Sequence, residues 1–508
     1  MAASSRTYSG WQLEKVSFLF GLSGIRVATV GSAVALAVIP VAEARVRTGV
    51  VAWPVSVFLL LLAFVRVGGR TADEWAVVAM SFGLNKARNR TQFASGAFAP
   101  RGRSGGADLP PMDLPGILAP LRFLTAPNGI GGEMAVIHHP HDRTYSAAAR
   151  VTFPGIGLVD SNRRDRRVAG WGGLLDALCT EGQPIIRVQA LQRIVPETGQ
   201  ALHKWHTDHR APTAPALALG VADALVSSAA PTTARRESYL VFTLDAVRAA
   251  SQIRAAGGGD TGACAILVQH VRALTSAITA AALEVGAWLG PRELAAVVRA
   301  AFDPAEQTVI DARSAREQRS DGAGLAAGTD PRVAGPAAAE NGWGVYRHDG
   351  AWSVAFVISS WPDTPVYANF LEPLLAEAKG NRRCFSLHYE PLGPRSAQRA
   401  VAIERTKRET ARRLRQRTGQ IVPEHERLAE ERAHRQDVER AHGHGLVRWS
   451  GYVSVTVTDL EELDGAISSL RADADRLRIE LRRMYGAQDQ GFALASLPLG
   501  LGLPKRRM

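Results

Sequence analysis

Two uncharged apolar stretches, Val27–Ala42 and Thr48–Val65, stand almost end to end near the start of the chain and constrain its fold more than any other feature. Charge crowds their ends instead, as Arg26, Glu43, Arg45, Arg47, Arg66 and Arg70. A bilayer core of about 30 Å calls for about 20 apolar residues, with ~17 as a lower limit. Each stretch is a little short, and Ser23, Gly24 and Thr71 extend the pair through a headgroup layer. With only Glu43–Arg47 between them, the two read as a helical hairpin in a membrane. A cleaved signal peptide, with Arg6 and Lys15 ahead and the run Val41–Ala44 behind, fits less well because a second apolar stretch follows at once. Two buried core helices are the other bland reading. Arg6, Lys15 and Arg26 precede the hairpin, Arg66, Arg70, Lys86, Arg88 and Arg90 follow it, and the loop sets Arg45 and Arg47 against Glu43. The positive-inside bias then puts both termini in the cytoplasm, giving a multi-pass protein of the cytoplasmic membrane.

The 508 residues leave room for a membrane segment and two or three further domains, and the net charge of +12 suits contact with anionic lipid or nucleic acid. Cys179, Cys264 and Cys384 are too far apart for a metal knuckle or a disulfide frame, which points to a reduced, cytosolic setting.

Breaks rich in Gly, Pro, Arg or Ala divide the rest. The expected plan is an anchor over 1–75, a basic linker over 76–118, a first α/β module over 119–311, a linker over 312–341, and a second module over 342–508. A weaker break covers 207–236. In the second module, alternation predicts strands at 352–361, 383–389, 447–457 and 492–497, with helices at 367–379 and 460–484 and a charged helical arm at 395–441. The first module runs alongside: strands at 145–153, 185–194, 239–244 and 308–311, helices at 168–178 and 265–285, and an insertion at 197–236. In the later helix Leu267, Val271, Leu274, Ile278 and Val285 make one apolar face. The expected fold class is therefore α+β: a transmembrane hairpin followed by tandem ferredoxin-like (split βαβ) cytosolic modules.

A search for chemistry is mostly negative. The nearest approach to a phosphate loop is Gly257–Gly258–Gly259–Asp260–Thr261–Gly262, followed by Ala263 and Cys264. It lacks the lysine that meets the phosphates and the hydroxyl that ligates magnesium, so it reads as a Gly turn before a helix. His203, His206, Asp208 and His209 form one compact group and His138, His139 and His141 another. The first has ligand types that could share a metal on a helical turn, but Pro212 and Pro215 close by favour a solvated loop. No G-x-S-x-G elbow and no H-E-x-x-H helix occurs, so no catalytic residue, metal or cofactor is assigned. Arg395–Arg417 is strongly basic and could neutralise phosphates, yet it lacks interleaved aromatics, and Glu424–Glu439 supplies opposite charge. A solvated hairpin of crossing ion pairs accounts for both halves. Its Arg412, Arg413 and Arg415, with Lys505, Arg506 and Arg507 at the tail, are the candidate partner-docking residues.

Phe385–Leu387–Tyr389, the charged arm, Gly451–Val457, Leu460–Leu463, Tyr485–Gln488 and Phe492–Gly500 together resemble the N-terminal domain of type IV secretion (conjugation) ATPases of the TraC/TrbE class. In that family a similar Gln and a Leu-Pro-Leu-Gly passage lead into the nucleotide-binding domain, whereas here only eight residues follow Gly500 to Met508. The polar lead, the apolar pair and Gly69–Trp75 resemble PrgI/VirB-type inner-membrane subunits and, more loosely, the EccE component of type VII secretion. The whole resembles PrgI-like membrane proteins of actinobacterial conjugation systems. The resemblance implies a non-enzymatic inner-membrane scaffold subunit of a type IV-like secretion apparatus, whose partners are a separate motor ATPase, other channel subunits and further copies of itself. An EccE-like stabilising subunit of a type VII channel and a membrane-tethered DNA-binding transfer protein are the alternatives, direct nucleic-acid contact being the less favoured.

Overall fold

The computed structural model describes residues 24–42, 46–64, 66–67, 70–96, 112–128, 131–152, 160–196, 200–211, 213–229, 234–317, 327–362, 364–375, 381–403, 406 and 445–502. The chain forms two compact units, one of residues 10–89 with 394–444, the other of 1–9, 90–393 and 445–508.

In the first unit, helices α1 (Gly24–Ala42) and α2 (Val46–Phe64) pack on each other, with Ser56 Oγ donating to the Ala33 carbonyl at 2.7 Å. A third helix, α3, covers Ala72–Ala87. Among the described residues the apolar helical stretches of the pair are Thr29–Pro40 and Gly49–Leu61, each in the 10–17-residue class. Arg26 and Arg47 stand in the first turns of α1 and α2, and Pro40 and Pro54 lie inside them. The expected transmembrane hairpin, and with it the multi-pass membrane localisation with both termini in the cytoplasm, is overturned. Among the described residues one helix passes by length and composition, Gly259–Ala280, and 44% of that window is buried within the protein.

The second unit is built on one antiparallel sheet of thirteen strands, which replaces the expected tandem modules. In chain order the strands are β1 (Gln92–Ala94), β2 (Arg122–Pro127), β3 (Glu133–His139), β4 (Thr144–Thr152), β5 (Ile185–Pro196), β6 (Ala234–Asp245), β7 (Glu284–Trp288), β8 (Ala338–Asn341), β9 (Tyr346–His348), β10 (Ala351–Ser360), β11 (Arg382–Leu392), β12 (Leu446–Val457) and β13 (Glu480–Arg483). Across the sheet they run β1-β8-β9-β10-β12-β11-β5-β6-β4-β3-β2, with β13 beside β10 and β7 beside β4. β5 and β11, almost 200 residues apart in the chain, pair from Val188↔Tyr389 to Ile194↔Arg383, so the halves of the chain share one seam instead of folding apart.

Helices cover both faces. Along β6, Tyr239 and Val241 join the core under α9 (Pro291–Phe302) and α12 (Gln488–Ser496), while Leu240, Phe242 and Leu244 join the core under α4 (Ser161–Ala177) and α8 (Gly259–Ala280). A strand buried on both sides reads as a continuous apolar run, which is what Tyr239–Phe242 is. The remaining helices are α5 (Gln200–Asp208), α6 (Ala216–Ala229), α7 (Ala250–Ala255), α10 (Glu306–Glu317) and α11 (Leu463–Arg476).

Several local expectations are corrected. Residues 308–311 lie inside α10, and 492–496 lie inside α12. The helix expected at 460–484 ends at Arg476, where Arg478 at φ +55° turns the chain into β13. Within 367–379 the described helical residues are the single 3₁₀ turn Glu372–Leu375. Residues 395–403 of the charged arm are helical, and its remainder apart from 406 lies outside the described residues.

Candidate functional site

The seam is polar where the rest of the sheet is apolar. On the face under α9 and α12, β5 presents Arg187, Gln189 and Arg193, and β11 presents Arg382, Ser386 and His388; all six are buried. Across the two strands, Cys384 sits opposite Arg193 and His388 opposite Gln189. Buried polar groups are tolerable only when hydrogen-bonded, so the partners of these side chains define what the stripe does.

At one end the partner is the chain's own C-terminal passage. Gln189 Nε2 donates to the Leu497 carbonyl at 2.9 Å and to Ser386 Oγ at 3.1 Å, while its Oε1 accepts the Gly500 N–H at 3.0 Å. Arg187 donates to the Gly500 carbonyl at 3.0 Å, and Thr243 Oγ1 donates to the same oxygen at 3.2 Å. His388 Nδ1 lies 3.1 Å from the Leu501 carbonyl and Nε2 lies 3.0 Å from Ser386 Oγ. Nε2 is also 3.0 Å from the Leu494 carbonyl, so each ring nitrogen faces a main-chain acceptor. Burial, with the Arg187 charge close by, outweighs those two carbonyls and pushes its pKa down to about 4, so the ring is neutral at pH ~7. Gly500 sits at φ +65°, and a Cβ there would come 2.5 Å from Thr243 Oγ1 and 2.6 Å from Ser146 Oγ. Only glycine takes both that backbone and that approach.

At the other end the partners are carbonyls in the second half of α9 and in the turn after it. Arg193 donates to Val297 at 3.0 Å, and Arg382 donates to Ala300 at 2.7 Å and Pro304 at 2.8 Å. A helix C-terminus favours cations, so these guanidiniums fasten α9 to the sheet. Burial, reinforced by Arg193, lowers the Arg382 pKa to about 10. Glu237, 3.7 Å from Arg193 Nε, accepts from Arg235 at 2.8 Å and from the Tyr239 hydroxyl at 3.1 Å. Burial opposes its charge, yet Arg193 and Arg235 hold its carboxyl below the usual value. A second neutral histidine repeats the pattern of the first. His348 hydrogen-bonds the Phe302 carbonyl through Nδ1 and Ser353 Oγ, 2.7 Å away, through Nε2. Its pKa also falls to about 4 on burial.

The residues singled out from the sequence do not converge on this stripe. His203, Asp208 and His209 are exposed around α5, His206 Nε2 is 2.7 Å from Asp223, and His209 Nδ1 is 2.9 Å from the Trp205 carbonyl while its ring stacks on Trp205. Among the described residues no three His, Cys, Asp or Glu are grouped to hold a metal. His138 stacks on Tyr145 at 4.3 Å, and the Tyr145 hydroxyl donates at 2.7 Å to Asp260 from the Gly-rich turn. Arg412, Arg413, Arg415, Lys505, Arg506 and Arg507 lie outside the described residues. The stripe itself had one sequence signal: Arg187, Gln189 and Arg193, then Arg382, Ser386 and His388, at same-face spacing inside otherwise apolar strands.

All three cysteines are buried, and burial pushes Cys179 and Cys264 up to about 11. A thiolate is the reactive form, so native protein at pH 8 is expected to react with an aromatic disulfide reagent at least ~10-fold more slowly than unfolded protein. Rapid labelling of any of the three in the native state contradicts that. No family model and no curated protein matches the chain.

Proposed function

We propose that this chain is a non-catalytic scaffold subunit of a type IV-like secretion or conjugation apparatus, onto which a separate motor ATPase docks. The observation that supports the reading best is the burial of Leu497–Leu501 over the seam, held by Gln189, Arg187, Thr243 and His388. This is the passage by which the chain resembles the front domain of conjugation ATPases, where it leads on to the motor. Here it closes the core of the chain's own sheet. A sheet covered by helices on both faces and fastened through its middle is a rigid platform, as a docking subunit requires. The polar side chains of the stripe spend their hydrogen bonds on main-chain groups, on one another and, for Arg187, on Glu390, which suits support better than turnover.

The test is affinity purification of the tagged full chain from its own cells after mild cross-linking, with mass spectrometry of the eluate. A hexameric secretion-type ATPase is expected at stoichiometric yield, and the purified chain alone is expected to release no phosphate from ATP above the buffer blank. An eluate without such an ATPase, or turnover by the chain itself, overturns the proposal.

A further inference from the structure

The two ends of the thirteen-stranded sheet differ. One end is β1, a strand of three residues, short enough to be a poor template for further pairing. The other is β2, six residues, paired to β3 without a bulge over Arg122↔His138 to Pro127↔Glu133. Its only charge, Arg122, is at the first position and its only proline, Pro127, at the last. Edge strands are ordinarily blunted by central charges, bulges or prolines, and β2 has none of these between its ends.

The direction of each amide in β2 follows from the hairpin. Asn128 N–H bonds the Gly132 carbonyl, and the Ala135 N–H bonds the Leu289 carbonyl on the far side of β3. Hydrogen-bonded and non-bonded pairs alternate in an antiparallel ladder. Arg122, Leu124 and Ala126 therefore bond β3, while Phe123 and Thr125 direct N–H and C=O to the open edge, and Pro127 directs its C=O there. Among the described residues no backbone bond reaches Phe123 or Thr125 from outside the hairpin. The strand is held stiffly, since α8 and α9 pack on it, Leu124 joining the core under α8 and Phe123 the core under α9. A pre-ordered edge loses little entropy when it takes a partner strand.

We propose that β2 is the interface of a two-fold homodimer, in which β2 of a second copy adds antiparallel to it and continues the sheet. An isologous contact must be complementary to itself, and this strand is. With only odd-numbered residues facing out, the axis falls on Thr125 or on Leu124. On Thr125, Phe123 faces Pro127, Leu124 faces Ala126 and Arg122 faces Asn128 of the second copy. On Leu124, Phe123 faces Thr125 and Arg122 faces Ala126. Neither register opposes two arginines, and both set apolar side chains across from each other, the arrangement that stabilises cross-strand pairs.

The experiment is sedimentation equilibrium of the full chain beside Thr125→Pro and Thr125→Val in one buffer. Thr125 is exposed and its N–H points away from β3, so proline keeps the hairpin and deletes the outward donor. Wild type and Thr125→Val are expected at about twice the 54.4 kDa of one chain, and Thr125→Pro at one chain mass. Hydrogen exchange of wild type supplies a measurement free of any substitution: the Phe123 and Thr125 amides are expected to exchange at least ~10-fold more slowly at high than at low protein concentration. A wild type of single-chain mass overturns the proposal, as does a proline variant that associates as wild type does or a valine variant that dissociates. Exchange at these amides that ignores concentration does the same.

Discussion

Ending the chain after Leu497 is expected to abolish the fold of the sheet-bearing unit. The cut removes the buried side chains of Leu499 and Leu501, worth about 1.5–3 kcal/mol each in area taken from water. It also strips one main-chain partner each from Gln189 Oε1, Arg187 and His388 Nδ1, all buried, at about 1–3 kcal/mol for each group left unsatisfied. Together these come to the order of 10 kcal/mol, as large as the whole stability of an ordinary domain. The truncated chain is therefore expected to lack a cooperative thermal transition by near-ultraviolet dichroism, a signal that full-length protein shows. Gly500→Ala is the graded version: it keeps the passage but forces a Cβ against Thr243 and Ser146 at a left-handed φ, and a lowered midpoint with a retained transition is expected. A truncated protein as stable as the intact one would mean that the passage decorates the sheet and does not complete it.

The sequence showed the strands of the sheet more readily than the way they join. β4, β5, β6, β10, β11 and β12 each announce themselves as apolar, β-branched or alternating runs, and the face of α8 repeats as a helix should. What failed is instructive. In α12 the order Phe492–Ala493–Leu494–Ala495–Ser496 alternates large and small and so imitates a strand, yet from Gly491 onward every residue of this helix is buried. A helix covered all round has no polar face, and its 3.6-residue period vanishes.

The seam is illegible for a different reason. Nothing local in Ile185–Pro196 specifies that Arg382–Leu392 will be its neighbour, because that register is chosen by tertiary packing. Without the seam, Arg187, Gln189 and Arg193 read as the solvent side of an alternating strand. Their burial depends on α9 and on the Leu497–Leu501 passage, both more than a hundred residues downstream in the chain. The histidine clusters drew attention because they are close in sequence, whereas the histidines that matter to the core, His348 and His388, stand singly.

Those two histidines are expected to make the protein acid-labile well above the range where carboxylates titrate. Each is held neutral with a folded-state pKa of about 4, against about 6.5 when unfolded. The unfolded chain thus binds more protons between these values, and stability falls as pH drops through that window, the contribution being fully present only above pH ~6.5. At pH 5 each site costs about 2 kcal/mol relative to pH 7.5, so the pair costs about 4 kcal/mol. His138, His139 and His270, also lowered chiefly by burial, act in the same direction. Asp349 and Asp489 oppose it, because burial raises both and their protonation favours the folded state. The measurement is the urea midpoint at pH 7.5 and pH 5.0 for wild type, for His388→Gln and for the double variant with His348→Gln. Glutamine keeps a donor and an acceptor without titrating, so the variants are expected to be weaker at pH 7.5 but to lose progressively less on acidification. A wild-type midpoint that is flat between the two pH values, or a double variant as acid-sensitive as wild type, would place the proton uptake elsewhere.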